Sequence, residues 1–134
     1  MRCVVLGMVF VLAGLLTSGR GAAAENGKVI PQLGKVRHVV LFKFKDGTTA
    51  QQQKVIEDAF RALPEKIHEV AGFEWGTNIS PENLSQGFTH CFLVTFNDTK
   101  GRDAYLPHPA HRAFGKILGS HLDKVLVIDF VAKD

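Results

Sequence analysis

Phe88-Thr89-His90-Cys91-Phe92-Leu93-Val94-Thr95-Phe96 is the stretch on which the fold turns. Side chains alternate across a strand. Phe88, His90, Phe92, Val94 and Phe96 therefore share one face, and Thr89, Cys91, Leu93 and Thr95 share the other. The first face is a row of large aromatics, as a helix-covered core requires. The second is also too apolar for water, because the solvent side of an open antiparallel sheet normally turns polar.

Residues 36–45 (VRHVVLFKFK) repeat the pattern. Val36, His38, Val40, Phe42 and Phe44 form one face, and Val39 and Leu41 make the opposite face apolar as well. Residues 73–79 predict another strand, and residues 124–131 (KVLVIDFV) the last one. Gly76 inside the second strand suggests a bulge or a close backbone approach. Trp75 and Phe73 read as core or subunit seam. Between the strands the period changes to helical. Thr49 with Gln52 three residues later makes a capping box. Val55, Ile56, Ala59, Phe60 and Leu63 then fall on one helical stripe over residues 50–63, with a short second piece over 64–70. Asn97-Asp98-Thr99 caps a short helix ending near Tyr105, and a further helix runs from Pro109 to about residue 122.

The order is β-α-β-β-α-β. Two βαβ halves of this kind predict an α+β, ferredoxin-like protomer: a four-stranded antiparallel sheet with both helices on one face. Its uncovered apolar face calls for a partner, and the simplest is a second copy of the chain packed sheet to sheet. The homodimer expected is a dimeric α/β barrel.

The 134 residues hold one such domain, expected over 36–134, after a separate N-terminal segment. Arg2 precedes an apolar run over residues 3–16, and small residues end in Ala22-x-Ala24. This predicts a signal peptide over 1–24, and hence an exported protein, periplasmic or secreted. The run is short for a membrane span of about 20 residues, so no stable membrane insertion is expected once the leader is cleaved. Residues 25–35 read as a flexible lead-in. Without the leader, 14 basic residues face 13 acidic ones, and no Lys/Arg stripe exists, so nucleic acid is not an expected partner. Cys91 is then the only cysteine, which excludes an internal disulfide and favours a buried thiol.

The chemistry concentrates in Tyr105-Leu106-Pro107-His108-Pro109-Ala110-His111. Each proline locks one φ angle and pushes its predecessor away from helical geometry, so Leu106 and His108 should be extended. This stiff break aims Tyr105, His108 and His111 in defined directions. His38 and His90, each third in its strand, add two imidazoles to the aromatic face. Together they suggest a pocket for acid–base work, since imidazole titrates near neutral pH. Each strand histidine alone is also explained by a satisfied hydrogen bond at the core's edge. His108 could cap the break or, three residues from His111, share a metal with it. No carboxylate converges, and neither H-E-x-x-H nor a cysteine pair occurs, so neither a metal nor a cofactor is expected.

Several pieces come in a recognisable order: Val36-Arg37-His38, Lys43-Phe44-Lys45, Trp75-Gly76, Phe88-Thr89-His90 and Tyr105-x-x-His108-Pro109-x-His111. In these the chain resembles the stress-responsive A/B barrel (Dabb) proteins, over about residues 35–131. The resemblance implies the same ferredoxin-like, sheet-paired dimer. It is nearest at the pocket to plant polyketide cyclases of that family, which close a poly-β-keto chain by an aldol step. It implies His111 as general base, Tyr105 as the group holding the substrate oxygen, and His38 and His90 as further pocket histidines. Pro107 departs from the aliphatic residue of those enzymes. Two readings follow: a small-ligand binding module, or a cofactor-free acid–base enzyme acting on a carbonyl-containing or aromatic compound.

Overall fold

The computed structural model describes residues 33–133; the expected leader and residues 25–32 of the lead-in lie outside the described residues. Strands β1 (Val36–Phe44), β2 (Val70–Thr77), β3 (His90–Phe96) and β4 (Leu122–Val131) form one antiparallel sheet in the order β2-β3-β1-β4. Helices α1 (Ala50–Arg61), α2 (Leu63–Lys66), α3 (Thr99–Tyr105) and α4 (Pro109–Leu118) supply the second layer. This is the βαββαβ arrangement of the ferredoxin-like fold.

The aromatic stripe packs under the helices as its period demands. Phe60 of α1 stacks on Phe92 of β3 at 4.3 Å between ring centroids, and Phe114 of α4 lies 4.7 Å from Phe60. Phe42 of β1 lies 5.0 Å from Phe92. Such pairs add about 0.5–1.5 kcal/mol each beyond their buried area, so Phe60, which touches several of these rings, ties both helices to the sheet. Trp75 closes the edge of this core, stacked on Phe92 with Arg61 over its ring.

The helix starts follow their caps. Thr49 accepts from the Gln52 N–H, and Gln52 Oε1 accepts from the Thr49 N–H at 2.8 Å. Asp98 accepts from the Gly101 N–H at 2.8 Å and starts α3.

Several expectations need correction. Leu106 is helical (φ −57°, ψ −47°), not extended, because its N–H completes the last turn of α3 on the Arg102 carbonyl. Only His108 is extended (ψ 136°). The bulge of the second strand falls between Val70 and Gly72, and pairing runs unbroken through Gly76. That strand starts three residues earlier than expected, at Val70, which shortens the second helical piece to Leu63–Lys66. β3 begins at His90, since Phe88 is held in a turn by its N–H to the Ser85 carbonyl. The last helix stops at Leu118, because residues 119–121 turn the chain and the His121 carbonyl accepts from the Lys45 N–H. The end of the lead-in is not loose: Gly34 donates to the Ala132 carbonyl and Ala132 donates back to that of Lys35.

Within the chain the other sheet face is uncovered. Leu126, Ile128 and Phe130 of β4 are 41–50% exposed there. Cys91, expected to be buried, is exposed on the same face.

Candidate active site

A cavity of about 290 Å³ lies between the α3–α4 break and strands β1 and β4, lined in part by His38, Tyr105, Leu106, His111, Phe114 and Val127. Tyr105, Leu106 and His111, from either side of the Pro-His-Pro break, face it. Pro109 opens α4, and the His108 Nδ1 caps it by accepting from the Ala110 N–H at 3.1 Å. That bond turns His108 onto the backbone. One turn on, His111 Nδ1 lies 2.9 Å from the Leu106 carbonyl oxygen. A carbonyl only accepts, so Nδ1 carries the hydrogen, and in the neutral ring the lone pair sits on Nε2. The Leu106 that sequence reasoning would have extended is therefore the residue that fixes the His111 tautomer.

Tyr105 is fully buried between three rings: His111 at 4.4 Å, Phe96 at 5.1 Å and His38 at 5.8 Å between centroids. Its hydroxyl has no hydrogen-bond partner among the described residues. Burial raises its pKa well above the usual phenol value, so it acts as a neutral donor rather than a base. An unpartnered buried hydroxyl costs roughly 1–3 kcal/mol, an unusual expense outside functional sites.

His38 faces the same cavity and is held by a carboxylate that sequence reasoning missed. Its Nδ1 lies 2.6 Å from Asp129 Oδ1, and the other Asp129 oxygen accepts from Arg102. Asp103 also accepts from Arg102, at 2.7 Å. The signal was present: Asp129 interrupts the apolar run of β4 on the same face as Val125 and Val127, and pairs directly across from His38.

His90 does not join this group. In the antiparallel register His38 lies across from Val94, and His90 lies across from Phe42. Four residues of strand, about 13 Å at 3.3 Å each, separate the two histidines. Equivalent positions in two antiparallel strands fall at opposite ends of the sheet. His90 instead reaches Glu57 of α1 at 3.0 Å and the Thr89 hydroxyl at 2.8 Å. His68 is exposed beside Glu69. Among the described residues no three His, Cys, Asp or Glu side chains converge as a metal site.

The fold and this cavity define a class: ferredoxin-like α+β proteins with one uncovered sheet face and a Tyr/His-lined pocket under the helices. The chain belongs to the Stress responsive A/B Barrel Domain family, whose model matches residues 36–132. It is 41% identical over 97 residues to an Arabidopsis thaliana stress-response A/B barrel domain-containing protein, HS1, covering 72% of this chain and 89% of that one. It is 31% identical over 98 residues to olivetolic acid cyclase of Cannabis sativa, covering 73% and 97%. Among solved structures, a dimeric ferredoxin-like protein of unknown function from Bacteroides fragilis matches with a TM-score of 0.61 at 29% identity, covering 74% of this chain and 97% of that one.

Proposed function

We propose that the chain is a small-ligand-binding stress-responsive A/B barrel protein whose cavity takes a carbonyl compound. The observation that carries this is the buried Tyr105 hydroxyl, unpartnered beside His111. A ligand carbonyl supplies the acceptor that the protein does not, and the apolar walls take the rest of the molecule.

Catalysis is the second reading, favoured by the His111 tautomer. Its Nε2 lone pair can take a proton from the carbon next to the bound carbonyl, while Tyr105 donates to the oxygen as charge gathers there. His38, oriented by Asp129, can pass a proton. The relation to olivetolic acid cyclase supports chemistry of this kind. Deprotonation next to a carbonyl, and the ring closure or isomerisation that follows, needs no cofactor.

Two further parts complete the proposal. The uncovered Leu126, Ile128 and Phe130 pack against a second copy, as the apolar face and the dimeric B. fragilis relative support. Residues 1–24 direct export, as the Arg2 start, the apolar run and Ala22-x-Ala24 support.

The test uses 2-heptanone in heavy water. Shifts of the His38 and His111 ring signals report binding, and exchange of the ketone's α-protons reports proton abstraction. Binding with exchange that disappears in His111→Ala establishes the enzyme. Binding without exchange establishes the binding module. Neither binding nor exchange overturns both.

A further inference from the structure

We infer that Gly115 determines which ligands the cavity under α4 admits: its missing side chain holds open a slot for an apolar body carried several carbons beyond the ligand's carbonyl. This rests on the reading that a carbonyl binds at the Tyr105 hydroxyl. Glycine in a helix interior is on the order of fivefold less favourable than alanine, so its presence needs a reason. Gly115 is the seventh of the ten residues of α4. The usual reasons fail. Its backbone lies outside the positive-φ region that favours glycine. Leaving aside the helix's own nearby backbone, no heavy atom of the described residues lies within 4 Å of where a Cβ would stand. Among the described residues only Gly76 shares both properties, and it lies across from Cys91 on the sheet face proposed to pack against a second copy.

What borders Gly115 is the cavity itself. His111, Gly115 and Leu118 stand at i, i+4 and i+7 of α4, on one helical face, and all three line it. Gly115 lies about 6 Å beyond His111 along the helix axis, a little over one turn. It is also exposed, which places it at the cavity's mouth. A carbonyl held at Tyr105 beside His111 therefore directs its attached body along α4. A ketone with one or two carbons on that side stops short of Gly115; a five-carbon body passes it and meets the hydrocarbon of Leu118 and Val125. The cavity, about 290 Å³, is at the small end of ordinary ligand sites, so one added methyl group on α4 removes room that a longer body needs. The helix is left weaker than alanine would make it, and the difference appears as space for the ligand. Gly115 thus selects for the length of the ligand, while Tyr105 selects for its carbonyl.

The test titrates 2-heptanone and 2-butanone into the full chain, wild type and Gly115→Ala, reading the His111 ring signals, and compares the two proteins in urea unfolding. Gly115→Ala should bind 2-heptanone about tenfold more weakly, the lower end of what one methylene decides in an apolar pocket. It should bind 2-butanone within about twofold of wild type, since that ketone stops short of the added methyl group. Its unfolding midpoint should move to higher urea, because alanine suits the helix better and meets no neighbour. Stability and long-ketone binding thus move in opposite directions, which a general disturbance of the fold does not produce. The proposal is overturned if Gly115→Ala binds 2-heptanone as wild type does, if both ketones lose affinity equally, or if the variant is less stable than wild type or fails to fold, which would assign the glycine to the fold. In each of these cases 2-heptanone still binds wild type and the carbonyl reading stands. If wild type binds neither ketone, that reading falls and the slot falls with it.

Discussion

The His111 ring packs against the Tyr105 ring at 4.4 Å between centroids, and the Leu106 carbonyl between them in sequence fixes which His111 nitrogen stays free. One backbone atom thus connects the proline-bound break to the tautomer of the candidate base. The same packing closes Tyr105 off from water and leaves its hydroxyl without an internal partner.

Tyr105 is the only tyrosine, so alkaline titration reads it directly. Burial raises its folded pKa above the ordinary value near 10. Above that pH the unfolded chain releases the phenol proton and the folded chain keeps it. The unfolded state then binds fewer protons, so stability is complete below pH 10 and falls above it, by about 1.4 kcal/mol per pH unit. Tyrosinate absorbance should lag behind free tyrosine until unfolding. Tyr105→Phe should lack this component of the alkaline loss. It should be as stable as wild type near neutral pH or more stable by about 1 kcal/mol, since it deletes an unpartnered buried hydroxyl.

Asp129→Asn removes the charge that His38 and Arg102 share. Asp129 is partly exposed, so a loss of only about 1 kcal/mol is expected in urea denaturation. Binding of 2-heptanone should weaken several-fold with it. Unchanged binding would show that the orientation of His38 is irrelevant to the cavity.

Ile128→Lys places a charge in the middle of the uncovered sheet face. Sedimentation should show wild type as a dimer and this variant as a monomer. Cys91, on the same face, should react slowly with a thiol reagent in wild type and quickly in the variant. Equal thiol rates would place the dimer contact elsewhere.

Gly87 sits at φ +84°, where a Cβ costs roughly 1–2 kcal/mol. An added Cβ would also stand 2.7 Å from Lys43 Cε, a flexible chain end that can move aside. Gly87→Ala should therefore lose about that strain energy in thermal or urea unfolding. A neutral effect would mean that the loop joining β2 to β3 relaxes freely.

The strand faces, the capping box at Thr49, the Asp98 cap and the βαββαβ order were legible because each rests on local periodicity or on a bond spanning three residues. The convergence of Tyr105 with His111 was legible for the same reason: five residues separate them in the chain. Cys91 misled, because an apolar alternation says that a face wants cover without saying that the same chain supplies it.

The sequence by itself determined the elements, the two apolar sheet faces and the Tyr105–His111 pairing, all of which follow from spacing along the chain. The tertiary structure alone decided that His38 joins Tyr105 and Asp129 while His90 joins Glu57 and Thr89. The physical reason is antiparallel register. It sends equivalent positions of β1 and β3 to opposite ends of the sheet and brings Asp129, 91 residues away in the chain, across from His38.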